Sequence, residues 1–432
     1  MSQSFRNITG TFDILPQAYT SDGSRVESSA SWHFVEERVR AILEGYGFQE
    51  LRTPVIEPTE LIARGVGAET DIVSKEMFSF ERGDTSYVLR PEITAPVIRA
   101  YLQHHLSQQG GVQKLYYVGP CFRAERPQKG RYRQFHQFGI EIIGADDARA
   151  DAETIAVMMA VYTGLGLSDL ELRLNSLGDA DSRPRYREAL REYLAPFQSD
   201  LSDTSRRRLE TNPLRILDTK NERERELLRD APVLLDYVDE ESRAHYDTVK
   251  MLLSDLGISY VEDPFLVRGL DYYTRTTFEL ESPHLGAQSS IAGGGRYDLL
   301  ARELGSRDPI PAVGFAAGME RLFLALEGEE IKLPEGRAPA VFAVSLGEAA
   351  GRWTFLFAER ARRAGLLVEY DLQGRSMKAQ MREANRCEAT RVVIVGDNEL
   401  SEGKAIIRDM ASGDQESVPL DELIPVLKSK SH

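Results

Sequence analysis

Residues 122–141, FRAERPQKGRYRQFHQFGIE, combine side chains that can hold a phosphorylated ligand beside a polar one. Five cations, Arg123, Arg126, Lys129, Arg131 and Arg133, crowd the first half, in a chain whose formal net charge is −15. Guanidinium forks match phosphate oxygens in geometry as well as charge. The second half alternates. Successive strand side chains point to opposite faces, so Phe138, Ile140 and Ile142 can enter a core while Gln137, Gly139 and Glu141 share the other face. A glycine between two hydrogen-bonding side chains leaves room above the sheet for a small polar ligand. Upstream, Tyr117, Gly119, Cys121, Arg123 and Glu125 also share a face. Two adjacent strands would thus present Arg123, Gln137 and Glu141 together, joined by a mobile cationic loop.

Three further segments fit the same floor. VRGLDYYTRTTFE begins with Arg268-Gly269, and its Tyr273 recurs in phase with Arg275 and Thr277. AGGGRYD contains Gly293 to Gly295, which predicts a glycine turn entering a helix and lets backbone approach a ligand. GFAAGMERLFLALE places Gly318 and Arg321 at a helix start, where backbone N–H groups favour anions. Each alone reads as ordinary structure: a solvated face, a structural arginine, a tight turn, a surface arginine. Four arginine-and-glycine elements in one chain favour a common phosphate site. Neither GxGxxG nor a Walker sequence is present, so neither a dinucleotide fold nor a P-loop is indicated.

The elements that must position these residues follow from pattern. A chain of 432 residues is too long for one ordinary core and predicts two or three domains. Hydrophobic and charged fractions of 42% and 28% are those of a soluble globular protein. Cys121 and Cys387 are the only cysteines, with no metal-binding spacing, which predicts a reducing, cytoplasmic setting. MSQSFRNITGTFDILP lacks the apolar core of a secretory signal, and the apolar stretch Ile155–Leu167 is too short to span a bilayer. The acidic balance argues against non-specific nucleic-acid binding over the whole surface, while allowing a local basic groove.

Residues 32–46 read as an amphipathic helix, with Val35, Val39, Ile42, Leu43 and Tyr46 on one stripe. FQELRTPVIEPTELI reads as extended, broken by Pro54 and Pro58. A strand, a turn at Arg82-Gly83-Asp84, a strand and a helix from about Thr94 follow. KLYYVGPCFRAE and FHQFGIEIIG flank the cationic loop as strands, and DAETIAVMMAVYTGLGL reads as a buried helix. Residues 178–257, rich in Arg, Glu, Asp and Leu, read as a helical insertion, and 327–339 as a linker. A βαβαβ pattern from Val341 predicts a small α/β domain with a largely parallel sheet.

These segments resemble a known family. FRAERPQKGRYRQFHQFGIE resembles motif 2 of histidyl-tRNA synthetases, which are class II aminoacyl-tRNA synthetases. LVRGLDYYTRTTFE and AGGGRYD resemble the two signatures particular to the histidine enzyme, AVGFAAGMERL resembles motif 3, and the helix–strand segment through Pro54 resembles the dimer-forming motif 1. NPLRILDTK and GRSMKAQMREAN carry the likeness over nearly the whole chain; one departure is Ile93, where a glycine is common.

The resemblance implies an α+β catalytic domain with a six-stranded antiparallel sheet flanked by helices, over residues 1–326. It implies a helical insertion near the tRNA acceptor stem, and an α/β anticodon-binding domain over 340–432. It further implies a homodimer, ATP with Mg2+ whose ligands it does not place, free histidine, and the histidine tRNA. The histidine carboxylate attacks the α-phosphate of ATP, pyrophosphate leaves, and the adenylate passes to the terminal adenosine of the tRNA. Arg123 and Arg268 would hold the α-phosphate, Arg321 the γ-phosphate, with Arg131 a further phosphate ligand. Glu141 and Tyr273 would grip the imidazole, Glu92, Thr94 and Gln137 the α-amino group, and Tyr297 would wall the pocket. Arg126, Gln128 and Lys129 would meet the acceptor end of the tRNA. The competing readings are a non-catalytic, synthetase-like regulatory subunit of histidine biosynthesis, and a class II synthetase for another amino acid.

Overall fold

The computed structural model describes residues 5–16, 27–67, 70–179, 181–219, 221–270, 272–286, 289–334, 336 and 338–430. Asp271 of the LDYY segment and positions 335 and 337 of the expected linker lie outside that set. The chain divides into two units, Met1–Leu333 and Pro334–His432.

The first unit is organised on a sheet that differs from the six-stranded antiparallel one expected. It has eight strands in the order Gln49–Glu50, Gln113–Phe122, Gln134–Ile143, Ala312–Gly318, Ser290–Arg296, Thr274–Glu281, Glu171–Ser176, Val261–Glu262. The six inner strands pair antiparallel. The two edge strands, of two residues each, pair parallel and make the sheet mixed. Strands that short carry no alternation to read.

One face of the sheet is covered by the helix Ser29–Gly45 and the helix Ala148–Gly164. The first begins at Ser29, earlier than expected, because the Ser28 hydroxyl accepts the Ser31 amide at 3.1 Å and caps the free helix end. Trp32, Val35, Val39 and Leu43 pack there with Phe138, Ile140 and Ile142, the strand residues expected in the core. The extended reading of 48–62 holds only for Gln49–Glu50 and Ile56–Pro58. A helix, Thr59–Val66, starts straight after Pro58. A proline at a helix start breaks nothing, because an amide there has no helical partner to lose. The hairpin Phe78–Arg82/Thr85–Leu89 and the helix Thr94–Gln103 form as expected.

Within 178–257 lie the helices Ser182–Leu194, Asp203–Thr211, Glu222–Leu228 and Glu240–Asp255. Tyr246, Val249 and Leu253 of the last pack into the same core as Trp32 and Phe138.

A buried ion pair ties the sheet to its covering helices. Arg296 and Asp151 are both fully buried and paired through Nη2 and Oδ2, and His245 Nε2 stands 3.2 Å from the same carboxylate. Removing one partner of such a pair strands a buried charge, at about 3–5 kcal/mol. Arg296→Met should therefore lower unfolding stability by that amount in denaturant titrations; a loss under about 1 kcal/mol would contradict this reading.

The second unit carries a five-stranded sheet in the order Val368–Tyr370, Val341–Leu346, Arg391–Gly396, Lys404–Asp409, Gln415–Pro419. The first three are parallel, joined through the helices Glu348–Arg363 and Met377–Arg386. The last two run antiparallel and extend the expected βαβαβ core. Among the described residues no helix is long and apolar enough to cross a membrane.

Candidate active site

Glu141 is fully buried at the centre of the large sheet. Its strand pairs Gln134–Ile143 with Gln113–Phe122 on one side and Ala312–Gly318 on the other, and Glu141 sits opposite Gly314. A Cβ on Gly314 would collide with the Glu141 carboxylate, so the missing side chain is what lets that carboxylate lie flat on the sheet. Three hydroxyls converge on it. Thr94 Oγ1 donates at 2.8 Å, Tyr117 at 3.2 Å, and the Tyr297 hydroxyl also donates. Thr94 opens the helix Thr94–Gln103, whose first amides, of Thr94 and Ala95, donate to Glu92 at 2.8 and 3.0 Å. Ile93 has φ −118°, so no glycine is required beside Glu92.

Two buried carboxyls thus stand side by side. Burial pushes Glu141 up to about 8, against the hydrogen bonds from Tyr297 and Thr94 and helped by the charge of Glu92. Burial also raises Glu92, opposed by its two amide donors. Such a pair favours a cationic or proton-donating ligand. A carboxyl whose folded value lies above its ordinary value near 4.3 binds more protons in the native than in the unfolded state. Its contribution to stability is full at low pH and is lost as pH rises toward 8. The melting temperature of Glu141→Gln minus that of the unmodified protein should therefore grow between about pH 5 and pH 8 and level off above. A difference independent of pH would show that Glu141 is not held in this way.

Tyr273 lies beside Glu141 over the neighbouring strand. A Cβ on Gly295, which pairs with Gly314, would strike the Tyr273 ring. The rings of Tyr272 and Tyr273 lie 4.6 Å apart, and those of Tyr272 and Tyr297 5.5 Å. Gln137 is buried and accepts the Cys121 thiol at 3.3 Å.

Arg268 lies over Gly293, where a Cβ would overlap both terminal guanidinium nitrogens. It pairs with Glu279, the residue opposite Gly293, and stands 5.8 Å over the Tyr273 ring. Burial opposes its charge, but Glu279, together with Tyr273 and Tyr272, outweighs this and raises its pKa. Here the expected glycine turn is corrected. Gly293 to Gly295 lie inside the strand Ser290–Arg296, where Arg268, Phe278 and Tyr273 fill the spaces their side chains would take.

Two other expectations fail for backbone reasons. The strand ends at Phe122, so the alternation does not reach Arg123 or Glu125. Arg123 instead turns back, donating from Nε to the Pro91 carbonyl at 3.0 Å, with its guanidinium 5.2 Å over the Phe135 ring. Arg275 is not in phase with Tyr273. It has φ +45°, and the pairing shifts there.

The cationic loop is closed by a bridge between Gln128 and Arg131 and seated through Gly130 against Leu324 and Arg321. Arg131 pairs with Glu125 at 3.2 Å. Arg321, on the first turn of Met319–Gly328, donates to the Ser290 carbonyl at 2.6 Å. Burial and the nearby Arg131 lower its pKa, against the opposing charges of Glu279 and Glu125. Arg126, Gln128 and Lys129 are exposed, and Arg126 and Gln128 line an open cleft with Lys75, Glu76, Glu125 and Arg131.

The histidyl-tRNA synthetase family model matches residues 26–322, and an anticodon binding domain model matches residues 353–430. The chain belongs to the histidyl-tRNA synthetase family. It is 48% identical to the histidine–tRNA ligase of Chlorobium phaeobacteroides over 432 residues, covering 99% of this chain and 97% of that one. The ligase of Thermosynechococcus vestitus is 47% identical, over 96% and 94% of the two chains. The crystal structure of apo S. aureus histidyl-tRNA synthetase superposes with a TM-score of 0.82 at 37% identity, covering 98% of this chain and all of that one. Two neighbours of this candidate site escaped the sequence reading, and Tyr117, placed on the right face by its phase with Gly119, was given no role. Glu279 could have been found from its place in RTTFE, but Tyr272 carried no signal apart from Tyr273.

Proposed function

We infer that the protein activates histidine with ATP and transfers it to the histidine tRNA. One observation carries this reading: the buried, triply hydrogen-bonded Glu141 stands beside Glu92, on the sheet over whose Gly293 the Arg268 guanidinium lies. The imidazole would donate to Glu141 and meet Tyr273, while Glu92, Thr94 and Gln137 take the α-ammonium. Tyr297 acts by holding the Glu141 carboxylate and walling the pocket. A site built on two ring nitrogens rejects ligands that leave its buried polar groups unmatched, by about 10⁴-fold in comparable sites.

The histidine carboxylate then faces the α-phosphate. One of its oxygens bonds to phosphorus, the bond to the bridging oxygen breaks, and pyrophosphate leaves with the electron pair. Arg123, anchored next to Glu92, and Arg268, over Gly293, stabilise the charge that builds on the phosphate oxygens. Arg321 binds at Ser290, three positions along the strand from Gly293, or about 10 Å at 3.3 Å per residue, a spacing that suits the far end of a triphosphate. Arg131 adds charge there. The tRNA terminal adenosine next attacks the carbonyl of the adenylate and releases AMP, with Arg126, Gln128 and Lys129 guiding the acceptor end.

No group of three metal-ligating side chains occurs among the described residues. Mg2+ needs only one or two carboxylates when phosphate and water supply the rest, and Glu279 and Glu125 border the phosphate side. The donor set fits a Mg2+ that arrives on the triphosphate and neutralises its charge. The protein works as a homodimer in the cytoplasm. Phe34 on the first helix, Tyr46 just after it and Ile56 are exposed apolar side chains available to a second copy.

The test is to offer a tRNA pool with each labelled amino acid in turn, alongside amino-acid-dependent ATP–pyrophosphate exchange. Charging with histidine alone is expected. Absence of exchange in folded protein would favour the regulatory subunit, and preference for threonine or proline would favour another synthetase.

A further inference from the structure

Arg275 is a non-glycine residue held at φ +45° inside a strand, at the point where the pairing with Ser290–Arg296 slips. Strain of this kind persists only where the surroundings over-determine it, and here three elements do. Its amide donates to the Gly178 carbonyl at 2.7 Å, and its carbonyl accepts the Leu177 amide at 2.6 Å. Those two residues are the entrance to the helical stretch 178–257. Its guanidinium reaches Glu241 at 2.6 Å, on the first turn of the helix Glu240–Asp255 by which the chain leaves that stretch. It also reaches Asp146 at 3.2 Å, just beyond the strand that bears Glu141. Entrance and exit meet as well, since a Cβ on Gly178 would touch Val238.

Two residues upstream of this joint stands Tyr273, seated on Gly295 beside Glu141. A strand bulge re-aims the side chains next to it. With Arg275 turned out to its carboxylates, the chain before it delivers Tyr272 and Tyr273 into the pocket rather than along the sheet.

We propose that Arg275 is a positioning residue: by clamping both ends of the helical stretch onto the bulge, it fixes the Tyr272–Tyr273 wall of the histidine pocket. The kinetic part of this proposal rests on the reading of function above. The guanidinium pairs lie near the surface, so their loss should move the wall without unfolding the domain.

The test is Arg275→Ala, with the double variant Asp146→Asn/Glu241→Gln removing the same pairs while leaving the strained residue in place. In ATP–pyrophosphate exchange both should raise KM for histidine at least tenfold and leave KM for ATP within twofold, and Arg275→Lys should recover part of the loss. Amide hydrogen exchange at Tyr272 to Thr274 should quicken in both. If Arg275→Ala fails to fold, the double variant decides. An unchanged histidine KM with unchanged amide exchange overturns the proposal, as does a fall in kcat alone. If the unmodified protein shows no exchange activity, the functional reading falls, and the amide exchange still decides the positioning role.

Discussion

Arg268→Ala is expected to lower histidine-dependent ATP–pyrophosphate exchange by about 10³-fold in kcat while leaving histidine affinity within about threefold. The reasoning starts from where the guanidinium sits. It lies on bare backbone at Gly293 and is paired with Glu279, on the phosphate side of Tyr273 and away from the Glu141 pocket. A donor aimed at charge that develops during reaction contributes to the transition state more than to the bound substrate. Removing one such donor costs about 10²–10³-fold in comparable sites, and a full positive charge belongs at the upper end. The substitution also strands Glu279, which is only partly exposed. Arg268→Ala/Glu279→Gln separates the two effects: it should restore thermal stability without restoring kcat. Exchange within tenfold of the unmodified rate would remove Arg268 from the chemistry.

Glu141→Gln should raise KM for histidine about 100-fold and leave KM for ATP within about twofold. The buried carboxylate accepts from three hydroxyls, and a histidine ring N–H would add a charge-assisted bond. Hydrogen bonds to charged groups contribute about 1.5–3 kcal/mol, or roughly 10–150-fold. The amide fits the same space but loses the charge, and it brings an NH2 donor that must face one of the present donors. Steady-state exchange kinetics with each substrate varied in turn reads this directly. Equal rises in both KM values would mean that the residue supports the sheet and does not recognise the amino acid.

Much of this site was legible in the sequence because period-two alternation is a strong signal wherever a strand is long. Gln134–Ile143 reads correctly on both faces, and its polar face proves to be buried rather than solvated. Legibility failed where geometry departs from that period. Two-residue edge strands leave no pattern, and the six antiparallel strands that the family resemblance implies omit them. A residue at φ +45° hid the outward turn of Arg275. Gly293 to Gly295 read locally as a turn, because the reason for those glycines lies in Arg268, Tyr273 and Phe278, which only the folded chain brings above them. The helix at Thr59–Val66 was masked by Pro58, which marks its start. In each case tertiary neighbours decided what local propensity left open.

The glycines beneath Glu141 and Arg268 also bear on how this pocket could be remodelled. Its floor is already naked main chain, so no base can be trimmed to admit a bulkier amino-acid analogue. Enlargement has to begin in the walls, at Tyr117 or Tyr297, where each ring removed also takes away a hydroxyl that steadies the central acid.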